Sequence, residues 1–536
     1  MKYKISALFV LAVGLLFGAC IDELDIQKKG NYGGEENFYK TDDDAVQAIT
    51  TVYSAWNSAS SGLFYMLDML GDDIWCGGGT RGDQVDAQNM NEYRYGTDNS
   101  TVKSSFSSLY GIIYNANLVI ERVTPDTEVR KRCVAEAYFF RGWANLYLGS
   151  LWGTAPLVDR LLTSGEYAQG NSEEGALLAQ ASADFKAAID LNALPSKLSK
   201  DDKTTVIRVT QEAAYAFYGK SLLFEGKKDE AGKALDKVIN SKLYDFYEGE
   251  YGNIHKLEAE FSCESILENN QVDDANTAWS FMTYVHVWRG WRNDKLSFSK
   301  IKDEYSSIAS GYGFFNPRKK LYEAFKAYNV AGGGNDYRLD QSIKTLEFLK
   351  NDMGLSVTGI MHGNEGYFNW KMRALKDELV IDMGGWNVCV NTNWRFMRYS
   401  EVLLLAAEAY LESDNGKALG YINQVRNRAK LNLLSSVTLD DIKQERRFEL
   451  CFEGTRFIDL VRWGDAAAVL ADQGKEVMCL NTDGTVSVEY VTPTAGFVKG
   501  KHERLPIPAT EILLNENIKQ NPGWSAADSE GIEEVK

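Results

Sequence analysis

The chain has 536 residues, 58 basic against 75 acidic, a formal charge of −17 and a hydrophobic fraction of 44%. So acidic a body works against nucleic acid and anionic membrane surfaces as partners, while the apolar fraction is ample for a packed core. Length alone leaves the domain count open, because helical repeat proteins reach this size as one body.

Lys2 and Lys4 precede an apolar run from Ile5 to Ala19, followed by Cys20. The run is too short to span a bilayer as a helix and has the form of a cleaved signal over residues 1–19. Small Gly18 and Ala19 directly before Cys20 make that cysteine the expected lipidation site. Diacylation there anchors far more stably than one acyl chain. Cleavage removes two lysines and no acid, so the mature chain is more acidic still. Residues 20–40 are polar, contain Gly30, Gly33 and Gly34, and read as a tether to a body over 41–536.

The body opens with TDDDAVQAITTVYSAW, a helix from about Asp42 with apolar Ala45, Ile49 and Val52. Residues 60–100 are rich in Gly, Asp and Asn and read as a long loop region. Helices return near 104–122 and 129–149, and in the second Ala135, Ala137, Gly142 and Ala144 interleave with Tyr138, Phe139, Trp143 and Leu146. Small residues beside large aromatics let helices approach and interlock. Small residues then recur twelve positions apart across turns, Gly219 with Ala231 and Ala406 with Ala418. That spacing resembles tetratricopeptide hairpins, with repeats at about 104–240 and 397–430. The two best units lie far apart in the chain, so the repeats read as a scaffold carrying a long insertion, not as a continuous array. The insertion, 241–395, is loop-rich, with helical period only over 318–328. Six of the twelve tryptophans crowd between Trp279 and Trp394, which implies either a satellite core or a ligand-stacking surface. Residues 399–411 are apolar on nearly every side, so that helix must be covered all round. Glu445, Glu449 and Glu453, with Arg446, Arg447, Arg456 and Arg462 nearby, predict an ion-pair network that clamps helices. The C-terminal region occupies 431–536.

Four blocks carry a family resemblance: RYSEVLLLAAEAYLESDNGKALGYINQVRNRA with ERRFELCFEGTRFIDLVRWG at 398–464, AEAYFFRGWANLYLGSLWGTAPLV at 135–158, LPIPATEILLNENIKQNPGW at 505–524, and the lipoprotein signal. The chain resembles the SusD/RagB family, surface lipoproteins of Bacteroidetes that capture nutrients, mostly glycans. The resemblance implies a mainly α fold: a tetratricopeptide-like, SusD-like helical-hairpin scaffold with long loop-rich insertions and few short strands. It also implies a SusC-like TonB-dependent transporter as partner, covered like a lid, and a lipid-anchored place on the outer face of the outer membrane. Asp22, Glu23 and Asp25 resemble the export tag of such lipoproteins. The RagB branch implies peptide as the alternative cargo.

Glycans present axial C–H faces that pack on flat rings, and hydroxyls that pair with carboxylates, amides and guanidinium groups. Two stretches fit, and the resemblance places ligand sites in such regions. LGDDIWCGGGTRGD offers Asp72, Asp73, Trp75 and Arg81 in a glycine frame. TAWSFMTYVHVWRGWRND offers Trp279, Tyr284, Trp288, Trp291 and Arg292. Plainer readings stand beside these. Trp279, Met282, Val285 and Trp288 also fit helical spacing, which is core more often than platform. Asp72 and Asp73 can bond backbone in a turn, and Arg81 can pair with Asp83 or Asp86. Trp75 has no obvious apolar partner. Catalysis has little support: His255, His286, His362 and His502 are scattered without HExxH, and GGGT at 77–80 lacks the GK[ST] ending of a phosphate loop. A surface glycosidase remains the enzymatic alternative, because acids are too many to count against it. Cys76, Cys133, Cys263, Cys389, Cys451 and Cys479 form no CxxC pair or zinc spacing, and Cys133 and Cys451 read as buried thiols. No cofactor is expected; a structural calcium on loop carboxylates stays open.

Overall fold

A computed structural model describes residues 38–271, 285–329, 334–383, 386–525 and 528. The first helix, α1 (Asp42–Met69), starts at a capping box: Thr41 Oγ1 accepts from Asp44 N, and the Asp44 carboxylate accepts from Thr41 N at 2.9 Å. It runs thirteen residues past Trp56, through a segment that composition assigns largely to loop. Leu63, Phe64, Met66 and Leu67 are buried there, and that burial overrides the weak propensity of Ser58, Ser60, Ser61 and Gly62. Next come β1 (Ile74–Gly77), α2 (Val85–Asn91), α3 (Ser100–Arg122) and α4 (Glu128–Leu151). After them follow α5 (Ala176–Asp190), α6 (Gln211–Phe224) and α7 (Lys228–Ser241). Each of these helices from α3 on packs on the next. Gly142 of α4 sits where a side chain would come within 3.1 Å of Ala181 O of α5, and Gly219 of α6 where one would meet Leu235 of α7 at 2.5 Å. The twelve-residue step therefore marks true helix contacts.

The insertion comprises β2 (Ser265–Asn269), α8 (Val285–Arg289), β3 (Leu296–Phe298), β4 (Phe314–Pro317), α9 (Lys319–Tyr328), α10 (Arg338–Ser342) and β5 (Ile343–Thr345). It continues with α11 (Leu346–Met353), β6 (Leu355–Val357), β7 (Met361–His362), β8 (Tyr367–Asn369), β9 (Leu379–Met383), β10 (Trp386–Val390) and β11 (Trp394–Arg398). Its strands form short antiparallel pairs, and β2 with β11 brings the start of the insertion back to its end. Trp291, Trp370, Phe368, Leu349 and Met353 pack into a core separate from the main one. The tryptophan crowding is thus in part a satellite core.

The chain then enters α12 (Tyr399–Tyr410) and α13 (Asn415–Arg428). Residues 399–409 are all buried, as an apolar helix requires. α12 packs against α7, so the array interrupted in sequence is continuous in space, which corrects the expectation of separate units. Gly232 of α7 makes room for the Tyr410 ring, and Asp236 accepts from Tyr410 Oη at 2.7 Å and Tyr421 Oη at 2.5 Å. Beyond lie α14 (Leu439–Glu449), α15 (Arg456–Arg462), α16 (Ala466–Val469), β12 (Glu476–Leu480), β13 (Val486–Val491) and α17 (Ala509–Leu514). The ion-pair network forms, with its main cations drawn from elsewhere: Arg338 on Glu445 and Glu449, Arg398 on Glu449 and Glu453, Lys371 on Glu453. The C-terminal block folds back onto the end of α4, where Trp152 Nε1 donates to Pro506 O at 3.0 Å. Among the described residues no helix is long and apolar enough to cross a membrane.

Candidate functional site

The two glycine- and tryptophan-bearing stretches meet. Strand β1 pairs with β4, placing Trp75 opposite Asn316 and Gly77 opposite Phe314. Asn316 Nδ2 donates to Gly313 O and Gly363 O, pinning the corner. Gly78 has φ 103°, and any Cβ there would lie 2.6 Å from the Phe314 ring. Gly79 lies flat against the Arg292 guanidinium, 2.9 Å from where its Cβ would be. Only glycine lets this loop lie so close.

Four sequence-derived candidates turn inward. Trp75 was expected as an exposed stacking face; it is 2% exposed. Its Nε1 donates to Glu365 Oε2 at 2.8 Å, and the Arg318 guanidinium covers the ring at 3.8 Å. Asp72 meets Arg456 at 2.7 Å, Lys320 at 3.1 Å and Arg447 at 3.5 Å. Burial pushes its carboxyl up, but Arg456, Arg447 and Lys320 outweigh that and hold it well below the usual range. Asp73 takes both oxygens to Arg447 Nε at 3.1 Å. Arg81 forks onto Glu92 at 2.7 and 2.8 Å and stacks on Tyr490 at 3.8 Å, so neither Asp83 nor Asp86 is its partner. These residues join the loop to the C-terminal region.

The second stretch forms the rim. Trp288 of α8 is half-buried, edge-on to Tyr65 of α1 at 4.3 Å and tilted to Phe314 at 5.8 Å. Arg292 donates to both oxygens of Asp294, at 2.9 and 3.0 Å, and to Tyr312 O at 3.2 Å, with Asp83 Oδ2 at 3.6 Å. Asp83 in turn accepts from Gly79 N at 2.7 Å. Trp291 turns the other way, 7% exposed in the satellite core beside Phe298 and Trp370, which corrects its reading as a platform. Trp279 and Tyr284 lie outside the described residues, as does Cys20. What the rim offers is an aromatic edge beside two part-exposed carboxylates, Asp83 and Asp294, which a largely covered Arg292 guanidinium holds in one short arc: groups that suit C–H faces and hydroxyls.

Tyr65, Phe314, Arg318 and Glu365 were missed. Tyr65 belongs to the helical segment read as loop, Phe314 and Arg318 reach the site through the β1–β4 pairing, and Glu365 arrives on the segment between β7 and β8; no local spacing announces them. Among the described residues no group of three His, Cys, Asp or Glu side chains could hold a metal ion.

Comparison with known proteins agrees with this architecture. A model of the SusD family matches residues 207–524, and a model described as starch-binding associating with outer membrane matches residues 41–223. The chain is 26% identical to SusD-like protein P2 of Formosa agariphila, over 98% of this chain and 100% of that one. A laminarin binding SusD-like protein of known structure superposes with a TM-score of 0.76 at 26% identity, covering 91% of this chain and 100% of that one. Surface glycan-binding protein A from Bacteroides uniformis gives 0.71 at 25%, over 90% and 99%. With more than half its length matched by the first model, the chain belongs to the SusD family.

Proposed function

We propose that this protein is a non-catalytic, cell-surface glycan-binding lipoprotein that captures oligo- or polysaccharide and delivers it to a SusC-like TonB-dependent transporter. In this reading residues 1–19 are removed, Cys20 carries the lipid, residues 20–40 are the tether, and the body faces the cell exterior. The observation that carries it is the rim at Trp288, where ring, guanidinium and carboxylates share one arc on a frame glued together by charge. The family and the laminarin-binding relative support it. Trp288 is the residue assigned to the ligand, and Arg292, whose side chain is 12% exposed, is assigned to holding the rim's carboxylates in place.

Isothermal titration against a polysaccharide panel headed by laminarin tests the reading. Binding at micromolar strength or weaker suits a cargo that must be released. Trp288→Ala should weaken it about tenfold, the scale of losing one aromatic contact. Heat from a peptide digest and none from any glycan would favour the peptide-capturing alternative and overturn this one. New reducing ends at enzyme-like rates would overturn the non-catalytic part. Metabolic labelling with palmitate should mark the protein and fail on Cys20→Ala. Co-purification with a barrel from detergent-solubilised outer membrane tests delivery.

A further inference from the structure

A second concave face lies between α3, the loop over residues 154–171 and α17. Its cleft has a volume of about 460 Å3, inside the range of roughly 300–1,000 Å3 typical of small-ligand sites. Tyr110 of α3 and Tyr167 of the loop line it. Tyr167 is 68% exposed, and Tyr114, one turn beyond Tyr110 on α3, is 59% exposed.

The ring of Tyr167 is exposed, yet its neighbours are tied down. Glu166 accepts from Arg160 Nη2 at 2.6 Å and from Thr163 N and Oγ1 at 2.9 Å. Ala168 O accepts from Asn517 Nδ2 at 2.8 Å, and Gln169 O from Asn515 Nδ2 at 2.7 Å. The loop is thus fixed on both sides of a ring that gains little burial from being fixed. The Tyr167 ring is thereby presented in a fixed position beside the cleft, where a ligand can stack on it.

The polar groups of the cleft narrow the ligand. The Glu511 carboxylate and the Ser107 hydroxyl line it, and neither makes a hydrogen bond or ion pair with another described residue. Gln169 spends its Nε2 on Glu166 O at 2.6 Å, which leaves its side-chain oxygen as an acceptor at the cleft. Acceptors therefore predominate between two rings and the aliphatic walls of Leu162 and Leu514. The matching ligand has C–H faces and many hydroxyl donors. Glu511 and a chain charge of −17 select against an anionic one.

We propose that this cleft is a second carbohydrate site, for a short stretch of neutral oligosaccharide, separate from the rim at Trp288. It rests on the glycan-binding reading. Two sites on one body raise avidity for a long chain without new contacts, because the second engagement becomes intramolecular.

Methyl-labelled leucine and indole NMR on the purified protein tests it, with a panel of neutral gluco-, laminari-, manno- and xylo-oligosaccharides. The Leu162 and Leu514 methyl signals report this cleft and the Trp288 indole signal reports the rim. The expected result is that one neutral oligosaccharide shifts both sets. Tyr167→Ala should then weaken the leucine-reported step fivefold to tenfold (roughly; one ring contact) and leave the Trp288 step unchanged. Glu511→Gln, which keeps the side chain's shape and removes its charge, should weaken the same step alone. An oligosaccharide that shifts Trp288 but never the leucines overturns this inference and spares the glycan reading. A peptide digest that shifts the leucines where no sugar does overturns it in favour of a protein-docking face. Oligogalacturonate binding there more tightly than its neutral counterparts overturns the charge argument. No shift anywhere with any sugar overturns both readings.

Discussion

From Asp72 to Arg81 most of the partners lie far along the chain: Asp72 on Arg456 and Arg447, Asp73 on Arg447, Trp75 beneath Arg318 and bonded to Glu365. From Trp288 to Asp294 the ties are mixed: Arg289 reaches Asp68 and Arg292 lies 3.6 Å from Asp83, both far along the chain, while Arg292 also grips Asp294 two residues on and Trp288 is only partly buried. Both stretches put tryptophan among charges and glycines. A side chain bonded to distant parts of the chain is spent on holding those parts together. Trp288, seated on Tyr65 and Phe314 by ring contacts, keeps part of its surface exposed.

Asp72→Ala should break the comparison most sharply. It leaves two guanidinium groups and Lys320 around a vacated buried position, and removing one member of a buried ion pair costs about 3–5 kcal/mol. Urea denaturation reads the loss; a cost below about 1 kcal/mol would return Asp72 to the ligand side. Trp75→Ala should follow closely at about 3–5 kcal/mol. Trp75→Phe keeps a ring under Arg318 but removes one of the two hydrogen bonds to Glu365 Oε2, the other coming from Lys319 N, costing about 0.5–1.5 kcal/mol. Glycan affinity of Trp75→Phe, measured on folded protein, should stay within about twofold of the parent.

Acid sharpens the contrast between interior and rim. Burial, with some help from Lys501, holds the His502 imidazole down at about 3, and it packs between Tyr93, Tyr95 and Trp524. Unfolded, the ring takes a proton near 6.5. Between pH 6.5 and 3 the unfolded state therefore binds more protons, and this residue's contribution to stability falls as pH falls. His502→Phe removes that penalty. Relative to the parent, the variant should gain about 2 kcal/mol on going from pH 7 to pH 5, read by urea midpoints. A constant gap would mean that the imidazole takes up its proton as readily in the fold as in the unfolded chain. Among the alanine substitutions the smallest effect on stability is expected at the rim, where Trp288→Ala should cost about 1–2 kcal/mol, because the ring is only half-buried, while glycan affinity drops about tenfold.

Much of the frame was legible because it is local. Thr41 with Asp44 announces the start of α1, the Gly219–Ala231 step announces where α6 and α7 touch, and the unbroken apolar face of 399–411 announces a covered helix. The end of α1 was not legible: serines and a glycine from 58 to 62 read as loop, and only the burial of Leu63, Phe64 and Leu67 keeps them helical. The candidate site was half legible. Its two stretches were identifiable by residue type, but Tyr65, Phe314 and Glu365 reach it across more than two hundred residues of chain.

The sequence by itself determined the helical scaffold, the acidic body, the residue types gathered at the candidate site and the family to which the chain belongs. Tertiary structure decided which tryptophan faces outward, that α7 docks on α12 across the insertion, and that Asp72, Asp73 and Arg81 are fastenings. The physical reason is range. Capping, periodicity and close helix approach act over a few residues and leave a pattern in the chain, whereas exposure and ion pairing depend on what arrives from elsewhere.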